Sequence, residues 1–107
     1  RYHQNPDKKG RAMLFLARMD VTFPESLTPE QVADFQVREK EYSGNLQSEG
    51  IMKGIWRVVG EYANYSIYDV RDNDHLHEVL SGFPMYKYMS IKVTPLAQHP
   101  NATRDFF

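Results

Sequence analysis

The sequence predicts an α+β domain of element order β-α-β-β-α-β, and three observations carry that expectation. Two runs of alternating residues, 13–23 and 88–93, bracket the patterned part of the chain. Two further strand-like runs, 51–59 and 62–70, meet at the short junction Gly60-Glu61, which suits an antiparallel hairpin. Helix-start chemistry at Thr28 and again at Asp72-Asn73-Asp74 fills the two gaps.

Each element follows from its residues. In the first strand Met13, Phe15, Ala17, Met19, Val21 and Phe23 share one face, and Pro24 ends it. The other face begins with Leu14 and Leu16 and turns polar at Arg18, Asp20 and Thr22. Thr28 offers a capping hydroxyl, Pro29 fits the first helical turn, and Glu30 lies near the positive end of the dipole. Gln31 completes a capping box. The first helix then runs to about Ser48, and Gly50 closes it in a left-handed conformation. Leu76, Val79, Leu80 and Phe83 give the second helix its apolar stripe, and Gly82 with Pro84 breaks it.

With right-handed crossovers this order gives a four-stranded antiparallel sheet with two helices on one face, the ferredoxin-like arrangement. The other face is left bare, with Leu14, Leu16 and Tyr68 expected on it. Such a patch favours a dimer or larger ring of copies, of the dimeric α+β barrel type.

Length and composition bound the rest. The 107 residues support one core. Residues 1–12 read as a polar N-terminal extension without the apolar middle of a secretory signal, 13–95 as the domain, and 96–107 as a tail that could reach a neighbouring subunit. The net charge of −1 with no basic stripe argues against nucleic acid as a partner. No apolar run approaches the roughly 18 residues that span a bilayer. The chain has no cysteine, which removes disulfides, thiolate catalysis and sulfur-ligated metal, and fits a cytoplasmic setting.

The candidate chemistry starts on the first helix. Val32, Phe35, Glu39, Tyr42 and Leu46 fall on one helix face, with a carboxylate in the middle of an otherwise apolar and aromatic stripe. Packed on the sheet, Glu39 would be desolvated and its pKa raised, which turns a weak carboxylate into a useful proton acceptor. The alternative is that Glu39 turns aside toward Arg38, Lys40 or solvent.

The hairpin supplies partners. With 60 and 61 as the loop, Val59 pairs with Tyr62, Arg57 with Asn64, and Trp56 with Tyr65. Trp56, Val58, Ala63, Tyr65 and Ile67 then share the more apolar face, the better candidate to meet the helices and Glu39. A slip of one residue would exchange the two sets. The Tyr65 hydroxyl or the Asn64 amide could hydrogen-bond a developing oxyanion, and Arg57 could form a bidentate pair with a substrate carboxylate. Ordinary sheet aromatics beside an exposed arginine remain the bland alternative. His75 and His77 point about 200° apart around their helix and have no partner at i+4, so no metal site is expected. The glycines are too scattered for a phosphate loop. His99, in the tail, either does nothing or enters a neighbour's cleft.

These residues resemble the muconolactone isomerase family from Met13 to about Pro100. The resemblance is carried by Met13-Leu14-Phe15, Glu39-Lys40-Glu41, Glu49-Gly50, Trp56-Arg57, Gly60, Tyr62-Ala63-Asn64-Tyr65-Ser66, Asp69-Val70, Leu76-His77, Tyr88-Met89 and His99-Pro100, in order and without gaps. It implies a cofactor-free ferredoxin-like enzyme of aromatic-compound breakdown, assembled as a decamer built from dimers. The implied reaction shifts the double bond of (+)-muconolactone to give 3-oxoadipate enol-lactone, in the catechol branch of the β-ketoadipate pathway. By the same resemblance Glu39 is the proton shuttle, Tyr65 and Asn64 stabilise the oxyanion, and Arg57 binds the carboxylate. Trp56, Lys40, His77 and His99 are further substrate-binding candidates. A related chemistry expels chloride from 5-chloromuconolactone to give a dienelactone. A non-catalytic small-acid sensor and a cofactor-free monooxygenase on the same fold are the remaining alternatives.

Overall fold

Alternation along the first strand decides how the whole sheet is oriented. The computed structural model describes residues 13–103. In β1 (Met13–Val21), Phe15, Ala17 and Met19 are buried while their neighbours are only partly covered. Both helices pack on this face: Leu46 of α1 (Pro29–Ser48) and Leu76, Val79 and Leu80 of α2 (Asn73–Ser81) join Phe15, Ala17 and Met19 in one core cluster. Burying such aliphatic and aromatic side chains contributes roughly 1.5–3 kcal/mol each. That cluster is the main attraction holding helices to sheet.

The sheet order is β2-β3-β1-β4, with β2 (Met52–Arg57), β3 (Ala63–Val70) and β4 (Met89–Leu96), and every pairing is antiparallel. This is the expected ferredoxin-like order. Thr28 caps α1 as the sequence predicts, its hydroxyl accepting the Gln31 N–H at 3.1 Å while the Gln31 side chain accepts the Thr28 N–H at 2.8 Å. At the other end Gly50 adopts φ 78°, and the Gly50 and Ile51 N–H groups donate to the Gln47 and Leu46 carbonyls, a Schellman closure. Asp72 caps α2 by accepting the His75 N–H at 2.8 Å.

Several boundaries move. β1 stops at Val21, short of Phe23, because Phe23 turns into an aromatic group with Phe35, Tyr62 and Tyr88. The hairpin opens earlier than expected, as a turn in which the Glu61 N–H donates to the Val58 carbonyl at 3.1 Å. Gly60 takes φ 82° at its third position, as a type II turn requires. A short 3-10 turn (Tyr86–Tyr88) precedes β4, which runs through Pro95 to Leu96. Proline is tolerated there because β4 is an edge strand and ladders on one side only. Tyr68, expected on the bare face, is fully buried in the helix-side core instead. It pairs with Phe15, and direct partners in a ladder point the same way.

Candidate active site

The expected hairpin register is correct, but the face assignment is reversed. Arg57 lies opposite Asn64 and Trp56 opposite Tyr65, as the sequence predicts. Asn64 in turn pairs with Met19, whose side chain belongs to the helix-side core. Arg57 and Asn64 therefore look toward the helices, while Trp56 and Tyr65 look away. The physical reason is that β1 decides the face, and local apolarity in the hairpin does not. A bulge at Lys53 adds to this. It lets Met52 and Ile55 fall on the same side although they are an odd number of residues apart.

The result is a cleft of about 330 Å³ between α1, the hairpin and the segment after α2. Glu39 stands on its helical wall and Arg57 and Asn64 on its sheet wall. Met19, Ile55, Phe83, Met85 and Met89 make the lining largely apolar. An apolar pocket with a few convergent polar groups is the usual form of a small-molecule site.

Glu39 sits in the sheltered stripe as its spacing predicts, flanked by partly covered Phe35 and Tyr42 and by buried Leu46. It does not turn aside to Arg38, which instead donates to Asp34 at 3.0 Å. One carboxylate oxygen, Oε1, accepts the Met85 N–H at 3.0 Å. Burial raises the Glu39 pKa above its ordinary value, and the Met85 hydrogen bond draws it part of the way back. The arrangement leaves Oε2 for a second partner. The Asn64 Oδ1 is buried with no hydrogen-bond partner among the described residues. Arg57 is exposed, and none of the ion pairs among the described residues engages it. Lys40 also lines the cleft.

The other sequence candidates lie elsewhere. Tyr65 sits on the opposite sheet face, with the Arg18 guanidinium 5.5 Å from its ring centroid. Arg18 is itself held by Asp20 at 2.9 Å and by Glu61 at 2.7 Å. Trp56 is 55 % exposed on that same face, its ring lying over Gly54, where an added Cβ would come within 2.5 Å of the indole. His77 is exposed on α2, and the His99 Nδ1 accepts the Asn101 N–H at 2.9 Å; neither lines the cleft. Among the described residues no three His, Asp or Glu side chains converge as a metal set.

The polar cleft groups that sequence reasoning did not single out are the Gln36, Ser43 and Tyr62 side chains and the Met85 backbone N–H that holds Glu39. Gln36 and Ser43 stand at i−3 and i+4 from Glu39, so helical spacing alone would have found them. Tyr62, in the turn, and the Met85 backbone carry no comparable signal.

Fold and cleft together define a small α+β protein with a half-buried carboxylate set against an amide and a cation across an apolar cleft. The family model for muconolactone delta-isomerase matches residues 13–102, and the chain belongs to that family. It is 53% identical over 92 residues to the muconolactone Delta-isomerase of Cupriavidus pinatubonensis, covering 86% of this chain and 100% of that protein. Identity to muconolactone Delta-isomerase 1 of Acinetobacter lwoffii is 52%, over 87% of this chain and 97% of that one. A crystal structure of muconolactone isomerase superposes with a TM-score of 0.82 at 38% identity, over 87% of this chain and 97% of the other. The leucine response regulatory protein of Mycobacterium tuberculosis, at a TM-score of 0.57 and 16% identity, shares the fold alone; the match covers 98% of this chain and 64% of that one.

Proposed function

We propose that this chain isomerises (+)-muconolactone to 3-oxoadipate enol-lactone, with Glu39 carrying the proton. The observation that supports it most is the half-buried carboxylate in an apolar cleft, one oxygen tied to a backbone N–H and the other available. Glu39 takes the proton from C4 of the lactone, charge passes through the ring to the carbonyl oxygen, and the same carboxyl returns a proton at C2. A base of raised pKa is closer in proton affinity to the carbon acid it must deprotonate than an ordinary glutamate is. The Asn64 amide, on the facing wall, hydrogen-bonds the dienolate oxygen with its NH₂ end. Arg57, unpaired at the rim, takes the carboxymethyl group, with Lys40 as a second cation. Tyr65, on the far face, has no part in the cleft of its own chain.

We read the exposed sheet face, which presents Leu14, Leu16, Trp56 and Tyr65, as the contact between copies in a decamer built from dimers. The boundaries 13–95 for the domain and 96–107 for a tail serving a neighbour belong to the same reading, as does a cytoplasmic location. No helix among the described residues is long and apolar enough to cross a membrane.

The test is incubation with (+)-muconolactone and with its 5-chloro analogue, following ultraviolet absorbance and free chloride. Isomerisation of the first substrate is the expected result. Chloride release without isomerisation would move the assignment to the dehalogenase, and binding without either would leave a sensor.

A further inference from the structure

The geometry points to Tyr62 as the positioning residue that aims Arg57 across the cleft, an inference that rests on the reading of Arg57 as the carboxylate-binding cation. Arg57 ends β2, and Tyr62 follows in the turn that leads to β3. The guanidinium carbon stands 5.4 Å from the Tyr62 ring centroid, within reach of the ring's negative face. An arginine without an ion pair, largely in water, would otherwise surrender side-chain freedom each time a ligand bound.

The ring is braced from both sides. Its hydroxyl accepts the Gln36 Nε2–H at 3.1 Å, which ties it to α1 three residues before Glu39. Its other neighbour is Phe23, at a centroid distance of 6.1 Å, and Phe23 packs on Phe35 and Tyr88. The platform under Arg57 is thus fixed to the helix that carries the carboxylate. The nearby turn residue Glu61, which could have neutralised Arg57, is held instead by Arg18 at 2.7 Å. Charge is kept available on the cleft side while the competing carboxylate is drawn away.

Steady-state kinetics on Tyr62→Phe, Tyr62→Leu, Arg57→Ala and the Arg57→Ala/Tyr62→Leu double variant test this. Tyr62→Phe keeps the ring and should keep KM within about twofold, whereas Tyr62→Leu should raise KM about two- to fivefold with kcat little changed. In the Arg57→Ala background the Leu substitution should add nothing, because the group it positions is gone. Tyr62→Gln supplies a second ringless variant suited to a half-exposed turn, should the Leu variant fail to fold. Equal effects in the presence and absence of Arg57 would overturn the inference, and so would a Phe variant as impaired as the Leu one. An unchanged KM in Arg57→Ala would instead overturn the reading of Arg57 on which it stands.

Discussion

Tyr42 ties the helix that carries Glu39 to the helix behind it, and removing its hydroxyl should loosen that joint measurably. It stands one turn beyond Glu39, and its hydroxyl donates to the Val79 carbonyl at 2.6 Å, near the end of α2. The ring meets Phe83 edge-on at a centroid distance of 4.7 Å, and the hydroxyl lies against Gly82, which has no side chain to displace it. Burial raises the Tyr42 pKa, as expected for a phenol kept from water. Tyr42→Phe keeps the ring and its edge contact and removes only the hydrogen bond. A net hydrogen bond contributes about 0.5–1.5 kcal/mol. The Val79 carbonyl still receives the Gly82 N–H at 3.3 Å, so it is not left wholly unsatisfied. The loss should therefore be about 1 kcal/mol, a fall in Tm of roughly 4–8 °C for a domain of this size. Thermal unfolding followed by circular dichroism reads it, and turnover at 25 °C should stay within about twofold, since Glu39 keeps its own hydrogen bond to Met85. An unchanged Tm would show that the bond contributes nothing to holding the helices together.

Further outcomes follow from the cleft. Because the Glu39 pKa is raised, kcat/KM should climb with pH through a midpoint above the ordinary glutamate value of 4.5, and a midpoint at or below that value would count against a desolvated base. Stability moves the other way. Between 4.5 and the raised midpoint the folded state binds more protons than the unfolded one, so this group's contribution falls as pH rises. Glu39→Gln should gain stability relative to the parent on going from acid to neutral pH, and parallel pH–stability curves for the two would contradict it. Tyr65→Phe should leave kcat within about twofold, its hydroxyl being on the face away from the cleft, and a loss of a hundredfold or more would place that tyrosine among the reacting groups.

How far the sequence could be read depended on the range of the signal. The α1 stripe, both helix caps, the Gly50 closure and the pairing of Arg57 with Asn64 are local, and each stands in the structure as its residues predict. The face of the hairpin is not local. Trp56, Val58 and Ile67 look more suited to a core than Arg57 and Asn64, yet the pairing of Met19 with Asn64 reverses the assignment. Tyr68 went astray in the same way, through its pairing with Phe15. The bulge at Lys53 also breaks simple alternation without a glycine or proline at 53 itself to announce it. At the site, Glu39 was legible because a lone carboxylate interrupts an apolar stripe. The Met85 N–H that holds it is a backbone group from a turn 46 residues away, and no side-chain pattern could show it.

The central claim is that one half-sheltered carboxylate moves hydrogen between two ring carbons, and proton exchange with solvent tests it most directly. Because the half-exposed Glu39 carboxyl can exchange its proton with solvent before returning one at C2, muconolactone turned over in deuterium oxide by the parent protein should acquire deuterium in the enol-lactone product. With Glu39→Gln, incorporation and turnover should fall by at least a hundredfold, while ligand affinity stays within a few-fold. Undiminished turnover or deuterium incorporation by the Gln variant would contradict the account.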